Sequence, residues 1–306
     1  MGAVAILMGV CGGEAYLPAQ LASILRQTVT DWDLWLSDDS PGTGARDLLT
    51  EFGGNWEGRL HYLRGPRRGV VPNFLGLACR PDISAEFYAF SDQDDVWDPD
   101  RLQRALARLA SVPASVPALY CSRTRLVDAD GRPIGLSPLF ARPPSFANAL
   151  VQSIAGGNTM VFNQAARALL MAAGDDVDVV VHDWWLYLLV TGAGGVVIYD
   201  EVPSLSYRQH GGNLIGGARS LSAWGRRMLA AFGQSDFRGW VGRNLAALER
   251  NSGLLTDRNR AVLACFAASR RCALPGRLAG FRRVGIHRQT AWGNLGLWVA
   301  AVLGKI

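Results

Sequence analysis

Asp92, Gln93, Asp94 and Asp95 follow directly on the apolar run Phe87, Tyr88, Ala89, Phe90. Like charges a few ångströms apart raise each other's pKa, so three carboxylates at the mouth of a buried strand call for a neutralising cation. Mg2+ or Mn2+ would serve, because these ions take oxygen ligands, hold one or two carboxylates, and fill the remaining positions with water and phosphate oxygens. The implied partner is therefore a nucleoside diphosphate. Asp98 and Asp100 have a plainer reading: with Pro99 they suit the acidic first turn of the next helix. That reading does not extend to Asp92 and Asp94.

The elements that must position these carboxylates are short apolar runs alternating with helical segments through the first ~110 residues, the pattern of a parallel sheet with crossover helices. Strands are expected at residues 4–8, 34–37, 60–63 and 87–90, with helices at 16–27, 45–52, 72–79 and 99–110. In such sheets ligands bind outside the carboxyl ends of the strands. Polar residues collect there: Gly9, Gly12 and Gly13 after the first strand, Asp38 and Asp39 after the second, Asp92 to Asp95 after the fourth. Residues 111–145 turn proline-rich, with a strand at 118–122 and a turn at 128–131, as expected of a mixed-sheet region with acceptor-side loops. A strand at 159–162, a helix at 164–173, a helix starting near Asp183, and strands at 196–199 and 205–207 follow. Beyond Gly217 the texture becomes helical with scattered arginines, at 221–232, 237–249, 257–268 and 273–283. The expected fold is α/β, a mostly parallel sheet flanked by helices. Residues 1–217 would form the catalytic domain, split near 110 into nucleotide-binding and acceptor halves, and 218–306 a basic helical extension.

With 306 residues and 49% hydrophobic content, the chain can bury one main core with sequence to spare. Its net charge of +5 conceals an asymmetry: residues 211–306 hold 15 of the 31 basic residues and only 3 of the 26 acidic ones. A basic tail on an acidic body points to an anionic partner. Five cysteines with no paired spacing fit neither a disulfide framework nor a zinc site and suit a reducing cytosol. The apolar opening lacks the basic region and cleavage site of a signal peptide and reads as a buried strand. No run of ~18 apolar residues predicts a transmembrane helix. Residues 292–306 are apolar apart from Asn294 and Lys305, which suits either a buried packing helix or, with Arg282, Arg283 and Arg288, an interfacial helix on an anionic membrane.

Seven segments in order carry a resemblance over residues 3–217: Gly12-Gly13-Glu14-Ala15-Tyr16-Leu17 with Ser23 to Thr28; Ser37-Asp38-Asp39-Ser40; Asn73-Phe74; Phe90-Ser91-Asp92-Gln93-Asp94-Asp95-Val96-Trp97; Gly157-Asn158-Thr159-Met160; His182-Asp183-Trp184-Trp185; and Tyr207-Arg208-Gln209-His210-Gly211-Gly212-Asn213. The chain resembles glycosyltransferase family 2, the inverting enzymes of GT-A fold, and within it the rhamnosyltransferase-like branch of bacterial surface polysaccharide synthesis. It departs from the family at Cys11 and Gly12, where a tyrosine and an asparagine are usual, and at His182, where a glutamate is common.

The resemblance implies an inverting transferase that uses dTDP-L-rhamnose, or a UDP-hexose or UDP-N-acetylhexosamine, with Mg2+ or Mn2+, on a glycan or lipid-linked acceptor. It would work in the cytoplasm, peripherally on the inner face of the plasma membrane. Donor contacts would come from Val10, Cys11, Gly12, Glu14, Asp38, Asp39, Asn73, Asp92 and Gln93. Asp94 and His210 would hold metal, with Asp92 and Asp95 as further candidates. Gly157, Asn158, Trp184 and Trp185 would face the acceptor, and Asp183 would be the general base. Each has a structural alternative: an Asx-type turn for Asp38 and Asp39, a helix N-cap for Asp183, core packing for the tryptophans, and an ordinary loop histidine for His210. A nucleotidyltransferase reading lacks a Gly-x-x-x-x-Gly-Lys-Ser/Thr cradle. A silent homologue acting as an assembly partner has no need of Asp92, Asp94 and Asp183 together. Nucleic acid is not an expected partner of the tail.

Overall fold

A computed structural model describes residues 3–51, 56, 58–209 and 236–306. Its core is a seven-stranded sheet, and an interior strand, β1 (Val4–Val10), is buried on both faces, which is why its sequence is continuously apolar rather than alternating. β1 pairs in parallel with β2 (Trp32–Asp38) and β4 (Phe87–Asp92). Gly9 stands opposite both Ser37 and Asp92, so the three strands end at nearly one level. β3 (Leu60–Arg64) adds to β2 in parallel. On the far side of β4 the sheet turns mixed. β9 (Val161–Asn163) lies antiparallel between β4 and β6 (Ala118–Ser122), and β10 (Val196–Asp200) closes that edge. A second, four-stranded sheet runs in the order β5 (Val96–Trp97), β11 (Leu205–Arg208), β7 (Arg125–Val127), β8 (Pro133–Leu136).

Successive side chains of a strand point to opposite faces, and β1 divides its residues accordingly. Val4, Ile6, Met8 and Val10 pack under α1 (Leu17–Leu25), α2 (Gly44–Glu51) and α4 (Arg101–Leu109). Ala5 and Leu7 join a larger core with α3 (Val70–Cys79), α6 (Gln164–Ala173) and α7 (His182–Gly192). The C-terminal helices α8 (Asp236–Arg250), α9 (Asp257–Arg271), α10 (Leu274–Val284) and α11 (Ala291–Val302) add Val241, Phe266, Phe281 and Leu297 to this same core. The short helix α5 (Phe146–Ala149) lies among them.

Two boundaries differ from expectation for identifiable reasons. α4 begins at Arg101 rather than 99, and Asp98 forms an ion pair with Arg125 instead of joining the first turn. The strand expected from 159 begins at Val161, because Gly157–Thr159 is a turn of 3-10 helix whose middle residue is tied to Asp95 and Arg101. The helix expected at 221–232 and the boundary at 217 lie outside the described residues. No described helix is long and apolar enough to cross a membrane.

Candidate active site

The loops after β1, β2 and β4 are laced together by side chains. Gln93 accepts a hydrogen bond from the Cys11 amide at 2.8 Å and donates to the carbonyls of Cys11 and Gly12, both at 3.3 Å. Gly12 adopts φ +54°, and its amide donates to Ser40 Oγ at 2.9 Å. A Cβ on Gly13 would fall 2.1 Å from Gln93 Nε2, so the Gly12-Gly13 pair serves both the turn and the close approach of the two loops. Gln93 is thereby a clamp on the first loop. Val10 is buried in the core and offers the loop only its carbonyl, which accepts from the Asp39 amide at 2.7 Å, so its side chain is not a donor contact. Cys11 and Glu14 are exposed at the rim.

Asp38 and Asp39 are occupied with the backbone and side chains around them. Asp38 is fully buried and accepts from the Ser40 amide at 2.9 Å, the Asx-type turn, and from the Tyr62 hydroxyl at 2.8 Å. Asp39 holds the following loop, accepting from the amides of Arg67 at 2.8 Å and Gly69 at 3.1 Å. A carboxylate has about four lone-pair sites, so Asp39, 8% exposed, retains capacity for a ligand while fixing the loop. Asn73 is 3% exposed and exchanges hydrogen bonds with Ser37, fastening α3 to β2. Its amide therefore holds the floor of the site.

Asp92 and Asp94 are half-buried at and just beyond the end of β4, and Asp183 is half-buried in the first turn of α7. Burial, then the charges of Asp94 and Asp183, push the Asp92 carboxyl up to about 7, so Asp183 lies within electrostatic reach of it. Asp183 is held by the Gly157 amide at 2.8 Å and by the Trp184 amide. These bonds favour its charged form, yet burial outweighs them and raises it to about 6. Asp95 differs from its neighbours, being fully buried, with its carboxylate accepting from Asn158 Nδ2 at 2.5 Å and the Arg208 amide at 3.4 Å. It braces the loop from behind.

Gly157 and Asn158 thus appear at the site as the groups that hold Asp183 and Asp95. The tryptophans require a correction: Trp185 is fully buried, and Trp184, 6% exposed, donates its indole N–H to the Ala149 carbonyl at 2.6 Å. Both belong to the core between α7 and α5, because α7 is buried along nearly its whole length, so neither lines an acceptor site. His210 lies outside the described residues.

Three neighbours of the site had no role assigned from the sequence. Arg208, at the end of β11, donates to the Asp94 carbonyl at 3.1 Å and the Ala129 carbonyl at 2.7 Å and lies over the Tyr16 ring, joining the second sheet to the acidic loop. Arg101 is a fully buried guanidinium 3.8 Å from the centroid of Trp97, with Nη2 donating to the Asn158 carbonyl at 2.5 Å. His182 stacks on Phe74 at 4.0 Å, and burial pushes it down to about 3, leaving a neutral ring beside Asp183. Arg208 and His182 stand within segments that carry the resemblance, and Arg101 is marked as a cation on the stripe of Leu102, Ala105 and Leu109 that α4 buries.

The model of the family described as glycosyl transferase family 2 matches residues 5–167, more than half of the sequence. The dTDP-rhamnosyl transferase RfbG of Shigella flexneri is 25% identical over 235 residues, covering 72% of this chain and 78% of that protein. The Escherichia coli β-1,3-glucosyltransferase WfgD, named for UDP-Glc and a GlcNAc-diphosphoundecaprenol, is 26% identical over 106 residues, 35% of this chain and 40% of its own. Among solved structures, TarS 1–349 of S. aureus superposes with TM-score 0.53 at 13% identity over 92% of this chain and 89% of that one. The mannosyltransferase PcManGT from Pyrobaculum calidifontis, solved with GDP-Man and Mn2+, superposes with TM-score 0.51 at 16% identity over 99% and 86%. These similarities establish the GT-A fold, and the strand-end carboxylates stand on it in the order described. The chain belongs to glycosyl transferase family 2, enzymes that draw on sugar-nucleotide donors.

Proposed function

We propose that the chain is an inverting rhamnosyltransferase that takes L-rhamnose from dTDP-L-rhamnose and places it on a lipid-linked or surface glycan, working from the cytoplasmic side. The observation that carries transfer is the position of Asp183 in the first turn of α7, held there by the Gly157 amide, raised by burial and within electrostatic reach of Asp92. As a base there, Asp183 takes the proton of an acceptor hydroxyl while that oxygen bonds to the anomeric carbon. The bond from that carbon to the diphosphate breaks, and the nucleoside diphosphate leaves with the electron pair. Support for rhamnose is the likeness to RfbG over most of both chains. The shorter likeness to WfgD favours a UDP-hexose as the second reading.

The residues fit a divalent ion of the Mg2+ or Mn2+ kind. Asp92 is a half-buried carboxylate near the charges of Asp94 and Asp183, an arrangement that a cation relieves. Among the described residues no group of three or more His, Cys, Asp or Glu converges as a cage. Asp94 and Asp92 would hold the ion together with donor phosphates, as befits an ion that keeps few protein ligands. When bound it would offset the charge on the departing diphosphate. Asp95 remains committed to Asn158 and the Arg208 amide and keeps the loop in place.

The test is a donor panel with purified chain and a glycan-diphosphate lipid acceptor. Turnover with dTDP-L-rhamnose at least about tenfold above UDP-glucose and UDP-N-acetylglucosamine supports the reading. The reverse preference transfers it to the UDP-hexose alternative.

A further inference from the structure

The last helix, α11, is apolar on both sides but buries only one. Gly293, Leu297, Ala300 and Ala301 face the core. Trp292 is 76% exposed, Leu295 55%, Val299 49%, Val302 49% and Leu303 62%. The spacing of those five residues sets them on one stripe of about 100° running the whole helix, roughly 18 Å at 1.5 Å per residue. A continuous exposed stripe of this kind is not the scatter of single apolar residues found on ordinary surfaces.

Charge identifies the occupant. Residues 274–306 contain Arg277, Arg282, Arg283, Arg288 and Lys305 and no acidic residue. Arg282 and Arg283 are exposed in the last turn of α10, the helix that precedes α11, and Lys305 is exposed just after α11. Arg277 donates to the Ala301 carbonyl at 3.1 Å, so a cation also sits at the helix end. The nearest acids in sequence are already engaged, Glu249 with Arg271 at 3.9 Å and Asp257 with Arg260. An apolar stripe ending in an interfacial tryptophan and bracketed by cations matches the headgroup region of an anionic bilayer. A second copy of this chain would bring like charges together.

The stripe is also tied to the acceptor half. The loop before α11 docks on α5 and its continuation: Asn148 Nδ2 donates to the His287 carbonyl at 2.9 Å, and the Gln289 amide to Gln152 Oε1 at 2.8 Å. Five residues beyond Gln152 is Gly157, which holds Asp183.

We propose that the exposed face of α11, with Arg282, Arg283 and Lys305, is a docking surface for an anionic lipid bilayer, which presents the acceptor half to the membrane. This deepens the lipid-linked reading of the acceptor, but its test needs neither donor nor transfer. The full chain is sedimented with phosphatidylcholine vesicles with and without phosphatidylglycerol, beside Trp292→Ala/Leu295→Ser and Arg282→Gln/Arg283→Gln variants. Expected is binding to the anionic vesicles alone, weakened by salt and reduced at least about tenfold in the apolar variant and several-fold in the charge variant. Nucleoside-diphosphate affinity should be unchanged in both. Wild-type binding that ignores lipid charge, or variants that bind as wild type, would overturn the proposal. So would a concentration-dependent dimer that the apolar variant dissociates, since the stripe would then belong to a second copy.

Discussion

Asp183 enters the fold as a carboxylate that burial holds at about 6, and this fixes the pH dependence expected of the enzyme. A base must be unprotonated to act, so kcat/KM should climb as pH rises to about 6 and level off above it. The neighbouring His182, pushed by burial to about 3, is neutral throughout that range and contributes no limb. Replacing Asp183 by Asn should remove the limb and lower kcat by about 10^2–10^4-fold, while calorimetry still finds the nucleoside diphosphate bound. Asp92 yields a separate prediction about stability. In the metal-free folded chain it keeps a proton up to about pH 7, whereas an unfolded aspartate loses its proton near 4. The folded state therefore binds more protons across that window, and stability falls as pH rises through it. Asp92→Asn should raise the melting temperature of the metal-free protein at pH 8 by a few degrees, for about 1–3 kcal/mol, and change it little at pH 4. Equal shifts at both values would mean that Asp92 is not strained by its surroundings.

The elements that carry the site were legible to different degrees. β1 and β4 stand out because a parallel strand buried on both faces is continuously apolar, and α6 is marked by the Asn163 side chain that caps it. The second sheet was not legible as a sheet, since β5 and β7 have only 2 and 3 residues and owe their conformation to β11. Nor could spacing reveal that Asn158 meets Asp95 across 63 positions. The paired tryptophans after Asp183 misled for a related reason: the sequence shows an aromatic pair, whereas α7 is buried nearly all round and absorbs both. The 3-10 turn Gly157–Thr159 is the joint between these parts, and it has little slack. A Cβ at Gly157 would lie 2.5 Å from His182 Nε2, a buried ring stacked on Phe74. Gly157→Ala should cost about 1–3 kcal/mol by thermal or denaturant melting and lower kcat by displacing the amide that holds Asp183. Arg101→Met removes the buried guanidinium on Trp97 and leaves the Asn158 carbonyl without its donor, and should cost about 1–3 kcal/mol. A melting temperature within a degree of wild type for either would show that the joint is looser than its contacts.

At the scale of the whole molecule, the second sheet joins the row of strand ends through Arg208, and the C-terminal helices join the core on one face of the large sheet. Gln93 joins the first loop to the fourth, Arg208 joins the second sheet to the acidic loop, and α11 is fastened to the acceptor half through Asn148 and Gln152. Sequence reading reached the row of strand ends and the basic apolar tail. It did not reach these ties, because each joins side chains far apart in the chain. In the proposed function the row forms a donor site in which Asp92 and Asp94 need a cation, while Asp183, held by the Gly157 and Trp184 amides, serves the acceptor. Titration calorimetry of dTDP and UDP, with and without Mn2+, tests it most directly. At least one of them should bind, Mn2+ should tighten its binding at least about tenfold, and this gain should be lost in Asp94→Asn and kept in Asp183→Asn. Failure of both nucleotides to bind in Mn2+, or equal binding without it, would rule out a metal-assisted donor site at Asp92 and Asp94.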